Sequence, residues 1–283
     1  MSGLYQTGLF PDLASAREAD QSERLFYGGG SLGTDAIVQA IAWIRAQLEN
    51  PSCVGQAVVA PVDVMLGRPP WASAVSAWRE ARRRQGRIEQ ITEGTRFQYA
   101  LEGLVRRGWD PYRPGEDSDP EEAGLGAPDA GDDLADELFA DDHIDLQMER
   151  FRIMSAVLEQ VDTALASDMG VVIGTGTRAA YQRYQGDPSK PDQILNTNHL
   201  GGGKDGHGER VFARVVQLGG RRIYGIQNSW GPEGAIVCAP EDARAGGWGG
   251  MHLPDGSWAP GCCWVDESVL LEAWDIHVFR PRR

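Results

Sequence analysis

Apolar residues recur at helical spacing through the first half of this chain and give way to short β-rich runs in the second. Ile37, Ala40, Ile41, Ile44 and Leu48 predict a helix that Thr34 or Asp35 caps and Asn50-Pro51 ends. Val54, Ala57, Val58, Val62 and Met65 predict a second helix over 53–66, with Ser52 as N-cap and Pro61 as a kink. Amphipathic patterns follow at 71–84 and 94–107, the latter closed by Gly108, and a last helical pattern covers 148–165. From Met169 onward, beginning with Val171-Val172-Ile173-Gly174, the period shortens to that of strands. Residues 206–217 and 223–227 flank Gly219-Gly220 and predict a hairpin with His207 entering its first strand and Asn228 leaving its second. Antiparallel pairing would bring those two side chains together.

Helices segregated from strands define an α+β chain. The expected division is a single domain, 1–283, with a helical lobe over 1–166 and a β-rich lobe over 167–283 built on an antiparallel, barrel-like sheet. The cluster Gly28-Gly29-Gly30-Ser31-Leu32-Gly33 lacks the Gly-Lys-Ser/Thr ending of a phosphate loop and is expected to be a plain loop. The chain contains no internal repeat.

Charge changes this picture at one place. The formal net charge of -14 comes largely from residues 116–145, which hold many Asp and Glu and no Lys or Arg. Phosphate repulsion opposes nucleic-acid binding by such a chain, and an acidic insertion at 115–146 is expected to be a solvated loop. No apolar run approaches the ~18 residues of a membrane span, and Met1-Ser2-Gly3-Leu4-Tyr5-Gln6 lacks the start of an export signal. The expectation is a cytoplasmic chain that binds no membrane.

Cys53, Cys238, Cys262 and Cys263 are too few for a disulfide framework, and none stands in a Cys-x-x-Cys pair. His143, His252 and His277 have no Cys or carboxylate at metal-ligand spacing, so neither metal nor cofactor is expected. Cys53 is different because it falls in the first turn of a predicted helix, where free N–H groups and the helix dipole favour a thiolate. A lone Cys with His and Asn far downstream is a pattern for nucleophilic catalysis. His207 lies 21 positions before Asn228 and can face it across the hairpin. His199 precedes a glycine-rich stretch, 201–206, and is the weaker candidate for the base.

Asn228-Ser229-Trp230-Gly231, preceded by Ile223-Tyr224-Gly225-Ile226-Gln227, resembles the Asn-Ser-Trp-Gly signature of the papain-like (C1-type) cysteine peptidases. Other parts run in that family's order. Gln47 stands six residues before Cys53, the spacing of the family's oxyanion glutamine. Residues 99–112 resemble its helix and proline-tyrosine strip, and 169–186 its strand and Tyr-x-Gly segment. The likeness covers most of 46–278, with two insertions. It implies a papain-like two-lobed fold and a cysteine endopeptidase that acts on a peptide or protein substrate. In that scheme Cys53 is the nucleophile, His207 the base and Asn228 its orienter, with Gln47 on the oxyanion and Trp230 shielding the Asn–His bond beside Ser229.

The sequence also departs from the family. Val54 replaces the usual Trp after the nucleophile, the flanking disulfide cysteines are missing, and 46 residues before Gln47 are too few for a long inhibitory propeptide. These departures motivate an alternative, the fold kept as an interaction module with an assembly partner, in a phage particle (a virion-associated location) or a secretion assembly. A third reading keeps the thiol chemistry for acyl transfer or for removing an isopeptide-linked modifier.

Overall fold

The computed structural model describes residues 36–45, 47, 51–67, 72–86, 94–108, 111, 148–182, 194–201, 205–217, 220–231, 237–238 and 249–282. In chain order the elements are β1 (Ala36–Val38), β2 (Ile44–Arg45), α1 (Cys53–Met65), α2 (Ala74–Arg84), α3 (Phe97–Arg107), β3 (Met148–Arg152) and α4 (Val157–Ala166). There follow β4 (Gly170–Thr177), α5 (Ala179–Gln182), β5 (Leu200–Gly201), β6 (Asp205–Val216), β7 (Arg222–Gln227), β8 (Val237–Cys238), β9 (Gly250–His252), β10 (Trp258–Pro260), β11 (Cys262–Asp266), α6 (Glu267–Leu271) and β12 (Asp275–Pro281). The acidic segment 116–145, with His143 and Tyr112, lies outside the described residues, as do Gly28–Gly33, Leu48 and Tyr184-Gln185-Gly186.

The chain is α+β, as its pattern predicts. An antiparallel sheet runs in the order β11-β7-β6-β4-β12-β3, with β1 added to β6 and β5 to β4; among the described residues it stays open and does not close into a barrel. The spine is β6, twelve residues long. It pairs with β4 from Asp205 to Val211 and with β1 from Ala213 to Val215, while β7 takes its opposite edge from Arg210 to Val216. A register shift between Val211 and Ala213 marks the change of partner. Pairing with β7 begins at Arg210↔Gln227, so on that edge the first residues of β6 extend past the end of β7.

Two layers cover the sheet. Val161, Ala164 and Leu165 of α4 pack with Val171, Ile173, Val211, Tyr224, Ile226 and Val265 in one core. Val54, Val58 and Val62 of α1 pack with Ala77, Ala81, Phe97, Leu101, Val172 and Phe279 in another. The predicted helices at 53–66, 71–84 and 94–107 are present, with Ser73 capping α2 through Ser76 N and Gly108 closing α3 at φ +84°. Pro61 lies inside α1. No described helix is long and apolar enough to cross a membrane.

Two expectations fail, for the same physical reason. Residues 36–45 form two short strands, Ala36–Val38 and Ile44–Arg45, joined by irregular chain, and not a helix. Ile37 pairs with Arg214, Gln39 Nε2 donates to Met169 O at 2.9 Å, and Gln227 holds both backbone groups of Ala42 at 3.2 and 2.8 Å. The expected helix over 148–165 begins only at Val157, because Met148–Arg152 is an edge strand on β12. Tertiary partners satisfy an extended backbone in both places, and that outweighs a modest helical propensity.

Candidate active site

The hairpin pattern puts His207 two residues into β6 and Asn228 just beyond β7. Because β7 ends at Gln227, Asn228 is released from the ladder, its N–H going to Gly261 O at 3.0 Å, and its side chain turns to the imidazole. His207 Nε2 lies 2.7 Å from Asn228 Oδ1. The carboxamide oxygen only accepts, so Nε2 carries the proton, and the Ser229 N–H donating to the same oxygen at 2.7 Å supports that orientation. The tautomer leaves a lone pair on Nδ1, which is buried and has no hydrogen-bond partner among the described residues.

Two aromatic rings pack around the pair. Trp230 sits 4.5 Å from the His207 ring centroid at 33°, and Tyr181 of α5 lies 5.4 Å from Trp230 and 6.3 Å from His207. His207, Trp230 and Tyr181 have no solvent exposure. Burial pushes the His207 imidazole down to about 4, against the opposing effect of the Asn228 bond. Two residues on, burial drives the Glu209 carboxyl well above its usual range, and the Tyr181 hydroxyl donates to its Oε1. A neutral acid is the form this core accommodates.

Cys53 is the first residue of α1, buried and outside any disulfide. Gly208 governs its approach to the strand. A Cβ at Gly208 would stand 3.0 Å from Phe97 Cζ, 3.3 Å from Val54 Cα and 3.4 Å from the Cys53 carbonyl carbon. Only a residue without a side chain lets the start of α1 lie this close to the residue after His207. Gly55 makes the matching approach on the other side of α1, where a Cβ would fall 2.0 Å from Ala74 O.

Gln47 is brought to the same place from β2. Its N–H donates to Ser229 O at 2.7 Å and Gly231 N donates to Arg45 O at 3.1 Å, so Arg45 and Gln47 lie beside Ser229 and Gly231. The buried Arg45–Asp63 pair at 2.7 Å, with Arg45 also donating to Ala72 O, ties this stretch to α1. Ser229 Oγ donates to Gln47 Oε1 at 2.5 Å, which takes up the carboxamide oxygen and turns its NH2 end away from Ser229.

The residues singled out in the sequence thus divide cleanly. Cys53, Gln47, His207, Asn228, Ser229 and Trp230 converge where the start of α1 meets the end of the hairpin. His199 sits in the turn before β5, its Nδ1 3.2 Å from Asn196 Oδ1, with burial lowering its pKa. His252 is exposed against Trp258, and His277 is buried on β12 with Nε2 2.9 Å from Asp275 Oδ2. Cys262 and Cys263 are buried in β11, where burial raises both thiols. Sequence reasoning missed Gly208, Tyr181 and Glu209. For the first, the Gly206-His207-Gly208 pattern was a usable signal, since a glycine inside a strand marks a close approach.

No family model matches the sequence, and no curated protein is similar to it at the sequence level. The fold has clear counterparts among solved structures. Xylellain, a cysteine protease from Xylella fastidiosa, is 15% identical with a TM-score of 0.65, over 99% of this chain and 97% of that one. A digestive procathepsin L 3 of Tenebrio molitor larval midgut is 15% identical at 0.57, over 93% and 75%. The bromelain protease from Ananas comosus, solved with the E64 inhibitor, is 14% identical at 0.53, over 86% and 97%. The fold is papain-like, that of the cysteine proteases.

Proposed function

We propose that this chain is a cysteine peptidase that hydrolyses peptide bonds through Cys53, His207 and Asn228. The observation that carries the reading is the 2.7 Å His207–Asn228 bond, which frees Nδ1 as a base, on a strand that α1 approaches at Gly208 beside Cys53. Nδ1 takes the thiol proton and the helix N-terminus favours the thiolate. The sulfur adds to the scissile carbonyl carbon, and the oxyanion is held by the Cys53 N–H and the Gln47 NH2. Collapse breaks the C–N bond as His207 returns the proton to the leaving amine. Water, deprotonated by His207, then releases the acid from the thioester and regenerates the thiol.

Burial alone lowers His207 to about 4 and so leaves it neutral at neutral pH, and the imidazolium depends on the thiolate as counter-charge. Trp230 supports the pair by excluding water from the Asn228–His207 bond. The substrate is a peptide or protein that enters between the α1–α3 layer and the sheet, the two lobes of a single domain. Thiols outside disulfides at Cys53, Cys262 and Cys263 fit a reducing, cytoplasmic setting.

The test is labelling with a thiol-directed epoxide at neutral pH. One equivalent should map to Cys53, and Cys53→Ala should lose labelling and cut turnover by ~10⁴-fold or more. A Cys53 that alkylates only as an ordinary thiol of pKa ~8.5 would sink the reading. Full burial of Cys53, His207 and Gln47 favours a second reading, the fold as an assembly module. Saturable partner binding, unchanged in Cys53→Ala and without turnover, is its expected result.

A further inference from the structure

Gln56 lies one helical turn after Cys53, 2% exposed, at a place in α1 otherwise filled by apolar residues. Its Nε2 donates to Ser52 Oγ at 3.4 Å, while its Oε1 has no hydrogen-bond partner among the described residues. On the hairpin, Asn228 shows the complementary deficit. Its Oδ1 is taken by His207 and by Ser229 N, and its buried Nδ2 is without a partner among the described residues. A buried donor and a buried acceptor left unmet each carry a desolvation penalty, and one contact removes both.

The two side chains line the same cavity of about 10 Å³, walled by Ala57 and Gly208. That space suits about one water. Arg45 Nη2 donates to Asp63 and Ala72 O, and Gln227 is taken up by Ala42 and Arg210. Gln56 Oε1 and Asn228 Nδ2 are an acceptor and a donor on the side chains that line this one cavity.

We infer that Gln56 is a positioning residue for Asn228, accepting a hydrogen bond from Asn228 Nδ2 directly or through one bridging water. The role rests on the peptidase reading of the site. An acceptor facing Nδ2 selects the carboxamide rotamer that turns Oδ1 to His207; the flipped rotamer would set an NH2 against Nε2–H and break the base. Gln56 also belongs to the helix that carries Cys53, so one side chain ties the nucleophile's element to the base's orienter.

The experiment is Gln56→Met, similar in length and without an acceptor, alone and combined with Asn228→Ala. Gln56→Met should lower kcat about tenfold with KM within about twofold, and should add nothing in the Asn228→Ala background. A kcat within twofold of the parent, or the same loss repeated in that background, overturns the inference. A second readout is independent of turnover, and its first arm, on the unmodified protein, is independent of how the variant folds. The Asn228 side-chain amide protons should be protected from solvent exchange in the unmodified protein, and exchange about tenfold faster in Gln56→Met. Unprotected protons in the unmodified protein refute the role of Gln56. Absent turnover with protected protons sinks the peptidase reading and leaves the contact standing.

Discussion

The two sides of the site are held in place by different physics. On the hairpin side, His207, Asn228 and Gln47 are fixed by directional bonds: the β6–β7 register, the backbone bonds of Arg45 and Gln47 to Gly231 and Ser229, and the Ser229–Gln47 side-chain contact. On the helix side, Cys53 is fixed by packing, through the absence of side chains at Gly208 and Gly55 and the apolar stripe of α1. Directional bonds orient polar groups but leave the gap between layers unset. Close packing sets that gap and says nothing about which way a carboxamide points. The site needs both.

Breaking the hairpin side at Gln47, the proposed oxyanion donor, should have the largest effect. Gln47→Ala is expected to lower kcat by ~10²–10³-fold with little change in KM, measured on a peptide substrate. A loss confined to KM would remove Gln47 from the oxyanion. The helix side is tested by volume. Gly208→Val should push α1 away from the strand and cost about 10²-fold in kcat/KM, with Gly208→Ala falling between it and the parent. Unchanged kinetics in Gly208→Val would mean that this approach does not set the thiol's position.

Ser229→Ala separates orientation from presence, because Gln47 stays and only its restraint goes. About a tenfold fall in kcat is expected, and a fall as large as that of Gln47→Ala would show that Ser229 acts by some other route. The smallest effect is a titration read on the His207 resonance. In Cys53→Ala the counter-charge is gone, and His207 should titrate at about 4, below its usual 6.5, and stay neutral at pH 7. The folded-state value is the depressed one, so the unfolded chain takes up the proton first as pH falls. Stability from this group is complete above 6.5 and lost toward 4. In the parent the thiolate should hold the imidazolium to clearly higher pH, and identical titrations in the two proteins would argue against an ion pair.

How far the molecule was legible depended on whether its contacts were local. The helices at 53–65, 74–84 and 97–107 carry their own apolar stripes. Ser73 caps the second and Gly108 closes the third, although the Ser52 side chain expected to cap the first makes no such bond. The hairpin announces itself by two β-rich runs around a glycine turn. These were readable from the residues. Residues 36–45 were not, since their apolar spacing fits a helix while their backbone partners, Arg214, Phe212 and Gln227, lie far along the chain. The same holds for Met148–Arg152, a strand only because β12 lies beside it.

The candidate site divides along the same line. By itself the sequence determined the kinds of group present: a thiol at a helix start, a His and an Asn at the two ends of one hairpin, a glutamine six residues before the thiol, an indole beside the Asn. Side-chain chemistry and short-range periodicity are properties of the residues themselves. Only the tertiary structure decided that Nε2 of His207 faces Asn228 so that Nδ1 remains free, that Ser229 holds Gln47, and that Gly208 lets α1 reach the strand. It also placed an unmet acceptor of Gln56 and an unmet donor of Asn228 around one cavity. The His207–Asn228 contact depends on hairpin register over 21 positions, and the others on the gap between two layers, fixed by contacts between residues more than 150 positions apart.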